Sequence, residues 1–214
     1  MKRDLIDQFF IELDRELARP AEIILTGAAA GALMGSSRPS LDMDFEIRLK
    51  EVSGEEDIVY LAETVERVTT KTGIAADYSQ DIGHWSMIDH LDYRKKAIPY
   101  KRIGRLEIKH ISPEYWTLGK LARFLAVDIQ DLVRVIRKNR LGPERLIKLW
   151  AEALVASPIS LSLQSFRRQA KEFLKSYGKS VWGRGFDAEK VISLFEATVR
   201  LKYLEKKEAR KKND

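Results

Sequence analysis

The sequence predicts an α+β fold, in which a mixed sheet flanked by helices over residues 1–111 is followed by an all-helical region over 112–214. Short apolar runs of strand length occur only in the first part. After the helix-start signal Ser112-Pro113-Glu114, apolar residues recur at helical spacing to the end of the chain. A composition of 44% hydrophobic and 33% charged residues is typical of a folded protein and excludes a disordered chain as the default.

In the first part, helices and strands follow one another in short segments. Apolar residues at helical spacing over 3–18 predict a first helix, which Pro20 ends. The segments that follow are a strand at 23–25, a buried helix at 28–35, a strand at 41–49, a helix at 56–72 closed by Gly73, and a strand at 74–78. Residues 84–90 predict a short irregular helix. The runs 97–100 and 105–111 predict a hairpin that turns at Ile103-Gly104.

In the second part, five helical segments are predicted. Breaking signals separate them at Ala126-Val127, Gly142-Pro143, Ser157-Pro158 and Gly178 to Gly185. The longest apolar run, 23–35, is shorter than the roughly 20 residues that a membrane-spanning helix needs. We therefore expect a cytoplasmic protein with no membrane partner.

The strand at 41–49 carries acids at alternate positions. Because strand side chains alternate, Asp42, Asp44 and Glu46 should share one face, while the apolar residues between them face a core. Adjacent carboxylates repel, and a divalent cation such as Mg²⁺ or Mn²⁺ holds them ionised together. With no cysteine in the chain, oxygen atoms are the metal ligands that the sequence offers. The same alternation would also produce a plain solvated acidic face.

The turn before this strand has features of a phosphate site. Gly27 permits a sharp bend, and the helix after it begins with free N–H groups that can bind phosphate oxygens. Ser36, Ser37 and Arg38 could add donors. A third carboxylate would come from a neighbouring strand, either Asp77 or Glu107, and the residues alone leave both open.

The order of elements and the motif Gly27-Ala28, a spacer, then Asp42-Met43-Asp44 resembles the nucleotidyltransferase superfamily that includes DNA polymerase beta. The resemblance covers residues 1 to about 111. It implies a nucleotidyltransferase-like fold, a nucleoside triphosphate as substrate bound at Gly27 and Ala28, and metal ions on Asp42, Asp44 and Asp77. Ala28 departs from the Gly or Ser of the pattern, so phosphate contact there would fall to the backbone.

A second motif lies on the helices that follow. Lys120, Arg123, Asp128 and Asp131 resemble the Lys, Arg and Asp-x-x-Asp arrangement of AbiEii-type toxins and related nucleotidyltransferase-like proteins. This likeness implies that Lys120 contacts phosphate and that Asp128 or Asp131 acts as a positioning or acid/base group near the nucleotide, together with Arg123. It also implies tRNA or another RNA as acceptor, and an antitoxin as partner.

Simpler interpretations accompany these motifs. Lys120 and Arg123 have the spacing of an exposed basic pair on a helix, and Asp128 is placed as an N-cap for the helix after it. The chain could instead be an inactive nucleotidyltransferase-like module that binds or regulates. A third alternative is a helical nucleic-acid-binding protein that uses its basic runs, Arg134 to Arg140 and Lys202 to Lys212.

Overall fold

The computed structural model describes residues 2–36, 42–50, 54–85 and 88–211. The chain forms two compact units. The first, the sheet unit, comprises Met1–Ile82 and Tyr93–Ser112, and the second, the helical unit, comprises Gly83–Asp92 and Pro113–Asp214. The structure is α+β, and its sheet is mixed, as the sequence predicts.

The sheet unit contains five strands in the order β3-β2-β1-β5-β4. The pairs β1–β2 and β4–β5 are antiparallel, and the pairs β1–β5 and β2–β3 are parallel. Its elements are α1 (Arg3–Leu17), β1 (Ala21–Leu25), α2 (Gly27–Met34), β2 (Asp42–Leu49), α3 (Glu55–Thr72), β3 (Ala75–Ser79), a 3₁₀ turn (Tyr93–Lys96), β4 (Ile98–Ile103) and β5 (Leu106–His110). The hairpin predicted at Ile103-Gly104 is confirmed as β4–β5.

The core of the sheet unit lies between α1 and one face of the sheet. Phe9 and Phe10 of α1 are fully buried, and their rings meet Phe45 of β2 edge-on at 5.8 and 5.5 Å between centroids. Met43 and Ile47, two positions to either side of Phe45, are also buried. The apolar half of the β2 alternation therefore faces this core, and the acidic half faces the opposite side of the sheet.

The helical unit contains the last five long helices of the chain, around a core that includes the fully buried Trp150, Phe166 and Phe173. They are α5 (Pro113–Arg123), α6 (Ala126–Lys138), α7 (Pro143–Ala156), α8 (Leu161–Trp182) and α9 (Ala188–Lys211), and the short α4 (Ile82–Trp85) stands at the start of the segment 83–92. The five predicted segments are confirmed.

Two details differ from the sequence prediction. Helix α8 continues through Gly178 to Trp182, and Gly178 lets the ring of Phe186 pack where a Cβ would otherwise lie. The segment 83–92, predicted within the first domain, packs with the helical unit instead, since Ile88 is buried in its core and the N–H of Asp89 donates to Ser157 Oγ at 2.8 Å.

Among the described residues, no helix combines the length and the apolar character needed to cross a membrane.

Candidate active site

Three aspartates of the sheet unit share one face of the sheet. In the parallel β2–β3 pair, Asp44 lies directly beside Asp77, and Asp42 lies beside Ala75. Paired residues of parallel strands point to the same side, so Asp42, Asp44 and Asp77 project from the face opposite the aromatic core. Asp42 and Asp77 are exposed and Asp44 is half-buried. The strand register thus places on one face the three carboxylates that the nucleotidyltransferase resemblance assigns to metal binding.

Gly27 lies against the Asp44 carboxylate. Its φ of +48° is in the left-handed region, and a Cβ built on it would stand 1.7 Å from Asp44 Oδ2. Any other residue would therefore collide with this carboxylate, as well as being strained in its backbone. The N–H of Thr26 also donates to the Asp44 carbonyl oxygen at 2.9 Å, which fixes the turn to β2.

An N–H group in the first turn of α2 also lies against this carboxylate. The N–H of Ala28 donates to Asp44 Oδ2 at 3.4 Å, and Thr26 at the N-cap makes no side-chain capping bond. The positive end of the helix dipole thus lies beside Asp44 and favours its charged form. Ser36 lies beyond the other end of α2, where its N–H donates to Gly31 O at 2.7 Å. Ser37 and Arg38 lie outside the described residues.

Glu46 shares the sheet face of Asp42 and Asp44 but not their environment. Its residue surface is only 1% exposed. Arg94 Nε donates to its Oε1 at 2.7 Å, Ile82 N–H donates to Oε2 at 3.0 Å, and the Tyr93 hydroxyl donates to Oε2 as well. The three acids share one face as predicted, but the simpler interpretation of a solvated acidic face does not hold at Glu46, because residues beyond β3 cover it and Arg94 pairs with its carboxylate.

The contacts of Glu46 change the acidity of its partners. Burial raises the pKa of Tyr93 above its ordinary value. The hydrogen bond to Glu46 raises it further, because an ionised phenol could not donate that bond. The carboxylate of Glu46 raises the pKa of Arg94 in the same way. Sequence reasoning missed Arg94 and Tyr93, since only the fold brings them beside β2.

Glu107, the other candidate for the third carboxylate, lies at a different position along the sheet. It is registered with Glu22 of β1, which in turn is paired with Arg48 at the far end of β2. Its carboxylate is paired with Lys50 at 3.0 Å and with Lys109 at 3.3 Å, and these two lysines lower its pKa. Of the two candidates, Asp77 is the one placed beside Asp44.

Lys120, Arg123, Asp128 and Asp131 form a second cluster, within the helical unit. Lys120 of α5 is 3% exposed, and its Nζ lies 2.9 Å from both Asp128 Oδ1 and Asp131 Oδ2 of α6. The same Nζ lies over the Trp116 ring, 4.9 Å from its centroid. The interpretation of Lys120 as half of an exposed basic pair is therefore wrong. Arg123 is the exposed member, and its guanidinium reaches Asp128 Oδ1 at 2.7 Å.

Asp128 is the most buried acid of this cluster, with no exposed surface. Burial acts to raise its pKa, but the hydrogen bonds from Lys120 and Arg123 outweigh burial and the pKa lies below the usual value. Its Oδ1 receives both hydrogen bonds, and its Oδ2 has no hydrogen-bond partner among the described residues. The N-cap prediction is wrong, because α6 begins at Ala126 with Leu125 as N-cap and places Asp128 at the third helical position.

A basic surface occupies one end of the helical unit. Trp182, the last residue of α8, donates a hydrogen bond from its Nε1 to the carbonyl oxygen of Leu141 at 2.8 Å. Leu141 lies in the segment that follows α6, which ends at Lys138. Within four residues of this bond along the chain lie the exposed side chains Arg137, Lys138, Arg140, Lys179 and Arg184. None of these five is ion-paired with another residue in the described ranges.

The donor set of the sheet unit suits a hard divalent cation. Asp42, Asp44 and Asp77 offer carboxylate oxygens on one face, which are the ligands that Mg²⁺ prefers. Over the described part of the chain, no group of three His, Asp or Glu side chains is already drawn together at metal-ligating distance.

Comparison of this chain with protein-family models, with curated proteins and with solved structures finds no match.

Proposed function

We propose that this protein is a Mg²⁺-dependent nucleotidyltransferase that transfers a nucleoside monophosphate from a nucleoside triphosphate to an acceptor hydroxyl. The observation that carries the proposal is the contact of Gly27 with Asp44 while Asp77 is in register beside Asp44. This contact places a helix N-terminus, a carboxylate pair and a turn without a side chain at one point of the sheet. These are the parts that phosphoryl transfer requires for positioning and for charge neutralisation.

In the proposed reaction, the acceptor oxygen attacks the α-phosphorus in line, the bond to the β-phosphate oxygen breaks, and pyrophosphate leaves. Asp42 and Asp44 would hold the cation, with Asp77 as a third ligand or as the group that takes the proton of the attacking hydroxyl. Mg²⁺, when bound, would neutralise charge on the triphosphate and on the leaving pyrophosphate. The backbone at Gly27 and Ala28 would approach the phosphates, because the side chains there are absent or small.

The helical cluster would act through Arg123 first. Its side chain is 57% exposed, whereas the Lys120 ammonium is enclosed by two carboxylates and an indole ring. Arg123 is thus the more exposed basic group of this cluster, and an anionic substrate that engaged it would compete with its ion pair to Asp128 Oδ1. Lys120 would then position Asp128 and Asp131, and its own contact with phosphate, implied by the toxin resemblance, would require that pair to open.

The acceptor would be an RNA, tRNA among them. The basic surface supports this choice, since five exposed cations without an ion-pair partner among the described residues attract a polyanion and are not needed for a small acceptor. An antitoxin would be the protein partner, as the resemblance to AbiEii-type toxins implies.

The experiment is transfer of label from α-labelled nucleoside triphosphates to total RNA in the presence of Mg²⁺. Asp44→Asn should lower the rate at least about 1000-fold, a loss of about 4 kcal/mol in transition-state stabilisation, and Asp77→Asn should also lower it. Glu107→Gln is the matched control, because it removes an acid from the same sheet and should leave the rate within about twofold. Equal rates in the wild-type protein and Asp44→Asn would reject the assignment.

A catalytically inactive binding module is the second candidate, favoured by Ala28, which offers no hydroxyl to a phosphate. Calorimetric titration with each nucleoside triphosphate, with and without Mg²⁺, separates the two. An enzyme should bind in a metal-dependent way that Asp44→Asn abolishes, whereas a module of this kind should show no metal-dependent binding.

A helical nucleic-acid-binding function is the third candidate, favoured by the basic surface. It predicts RNA affinity that falls steeply with salt and is indifferent to Asp44→Asn. The labelled-transfer assay distinguishes it, since this function supplies no chemistry.

A further inference from the structure

Helix α9 has an apolar stripe on the side that faces away from its own core. Phe195 and Val199 are buried in the helical unit, with 0 and 1% of their surface exposed. Leu194, Leu201 and Leu204, in contrast, are 44, 55 and 59% exposed. At about 100° per residue, Leu201 and Leu204 point away from the buried face of Phe195 and Val199, and Leu194 points to one side of it.

The stripe has the spacing of a coiled-coil seam. Leu194, Ala197, Leu201 and Leu204 are separated by three, four and three residues, so they fill successive a and d positions of a heptad repeat. All four are exposed, and Ala197 leaves room for a close approach at one layer. On a single helix this seam leaves apolar surface exposed to solvent, whereas a second helix would bury it.

We propose that α9 pairs with α9 of a second copy of this chain, in a parallel coiled coil that makes the protein a two-fold symmetric dimer. In this register each leucine packs against the same leucine of the second copy, as an isologous interface requires. Because α9 is already held as a helix by its buried face, little conformational entropy is lost on pairing.

The charges that flank the seam select the second copy and its orientation. Arg200 occupies the g position before Leu201, and Glu205 occupies the e position after Leu204. In a parallel pair, g faces the e position five residues later on the other helix, so Arg200 meets Glu205 of the second copy twice by symmetry. An antiparallel pair sets g against g, so with the four seam residues fully overlapped Arg200 would meet Arg200 of the second copy, which is repulsive.

Both flanking groups are accessible for this pairing. Arg200 is exposed and forms no ion pair with another described residue. Glu205 is 52% exposed and has one neighbour on its own helix, Lys202 at 3.1 Å. A solvated pair of this kind is weak and leaves Glu205 free to exchange partners.

The test is sedimentation equilibrium of the full chain over a wide concentration range. We expect a reversible rise from the 24.6 kDa monomer to twice that mass. Leu201→Glu should raise the dissociation constant at least about 100-fold, because it places a charge from each copy at a buried layer. Ile58→Glu on α3 is the matched control, since Ile58 is 52% exposed and lies outside the seam; this variant should dimerise as the wild type does.

Charge exchange tests the orientation. Arg200→Glu and Glu205→Arg should each weaken the dimer, and the double variant should restore it. Far-UV circular dichroism should show unchanged helix content in every variant, because all the altered side chains are exposed. A monomer at every concentration, a dimer indifferent to Leu201→Glu, or a double variant no tighter than the single ones would overturn the proposal.

Discussion

The acids of the sheet unit and the acids of the helical unit occupy opposite environments, although their sequence motifs look alike. Asp42 and Asp77 are exposed, and Asp77 forms no ion pair within the described ranges. Asp128 and Asp131 are 0 and 4% exposed and hold an internal lysine between them. Exposed carboxylates beside a tight backbone turn can accept a ligand, whereas enclosed carboxylates already neutralised by a cation stabilise the fold first.

The two clusters also differ in how their negative charge is compensated. Carboxylates held on one open face repel one another, and a bound cation removes that repulsion. The helical cluster carries its own compensation in Lys120 and Arg123, so it needs no ligand to be stable. Mutations should therefore affect activity in the first cluster and the free energy of unfolding in the second.

The largest effect on stability is expected from Lys120→Met. This substitution keeps the length and apolar stem of the side chain but leaves Asp128 and Asp131 buried without their shared cation. We expect a loss of about 3–5 kcal/mol in the free energy of unfolding, measured by urea denaturation. Lys50→Met is the control, because its pair with Glu107 is 49 and 43% exposed and should contribute less than about 1 kcal/mol. Equal losses in the two variants would contradict the assignment of Lys120 as a structural cation.

A smaller effect on stability, with a larger one on activity, is expected from Gly27→Ala. Both Gly27 and Gly73 have positive φ, at +48° and +67°, but a Cβ meets Asp44 at Gly27 and nothing within 4 Å at Gly73. Gly73→Ala should therefore cost only the backbone strain, about 1–2 kcal/mol. Gly27→Ala should cost about 1–3 kcal/mol more and abolish label transfer, because the new methyl group displaces the Asp44 carboxylate.

Urea denaturation of both glycine variants, together with the transfer assay, checks this difference. If Gly27→Ala loses no more stability than Gly73→Ala and retains activity, the close approach of the turn to Asp44 has no role in the site.

Much of the sheet unit could be predicted because its signals are local. The alternation in 42–47 predicts that Asp44 and Phe45 lie on opposite faces of the strand. Gly27, which stands just before a short apolar helix, predicts a bend in the backbone. Such patterns depend on residues next to one another in the chain. The register that places Asp77 beside Asp44, in contrast, depends on how β3 pairs with β2. For that reason the sequence could not decide whether Asp77 or Glu107 is the third carboxylate.

The environments of Glu46 and Lys120 could not be predicted because non-local packing sets them. Glu46 is covered by Arg94, which is 48 residues further along the chain. Lys120 is buried because α6 folds back against α5, and neither helix alone reveals this. A usable signal was present in the apolar neighbours Leu118 and Leu121, which place Lys120 beside a buried stripe, and in two acids at the start of the next helix.

The smallest effect is expected from pH. Because the folded state lowers the pKa of Asp128 below its unfolded value of about 3.9, the ionised carboxylate contributes stability above about pH 4. That contribution is lost as the pH falls through the folded-state pKa, where the carboxyl binds a proton in both states. Asp128→Asn lacks this titration, so the difference in unfolding free energy between the wild type and this variant should shrink on acidification from pH 6 towards about pH 3.

Glu107→Gln is the control. The Glu107 carboxylate also has a lowered pKa but lies on the surface, so added salt should remove most of its contribution to the pH dependence while leaving that of Asp128. A wild-type minus Asp128→Asn difference that stays constant with pH would mean that the Asp128 carboxylate is not held ionised by Lys120 and Arg123.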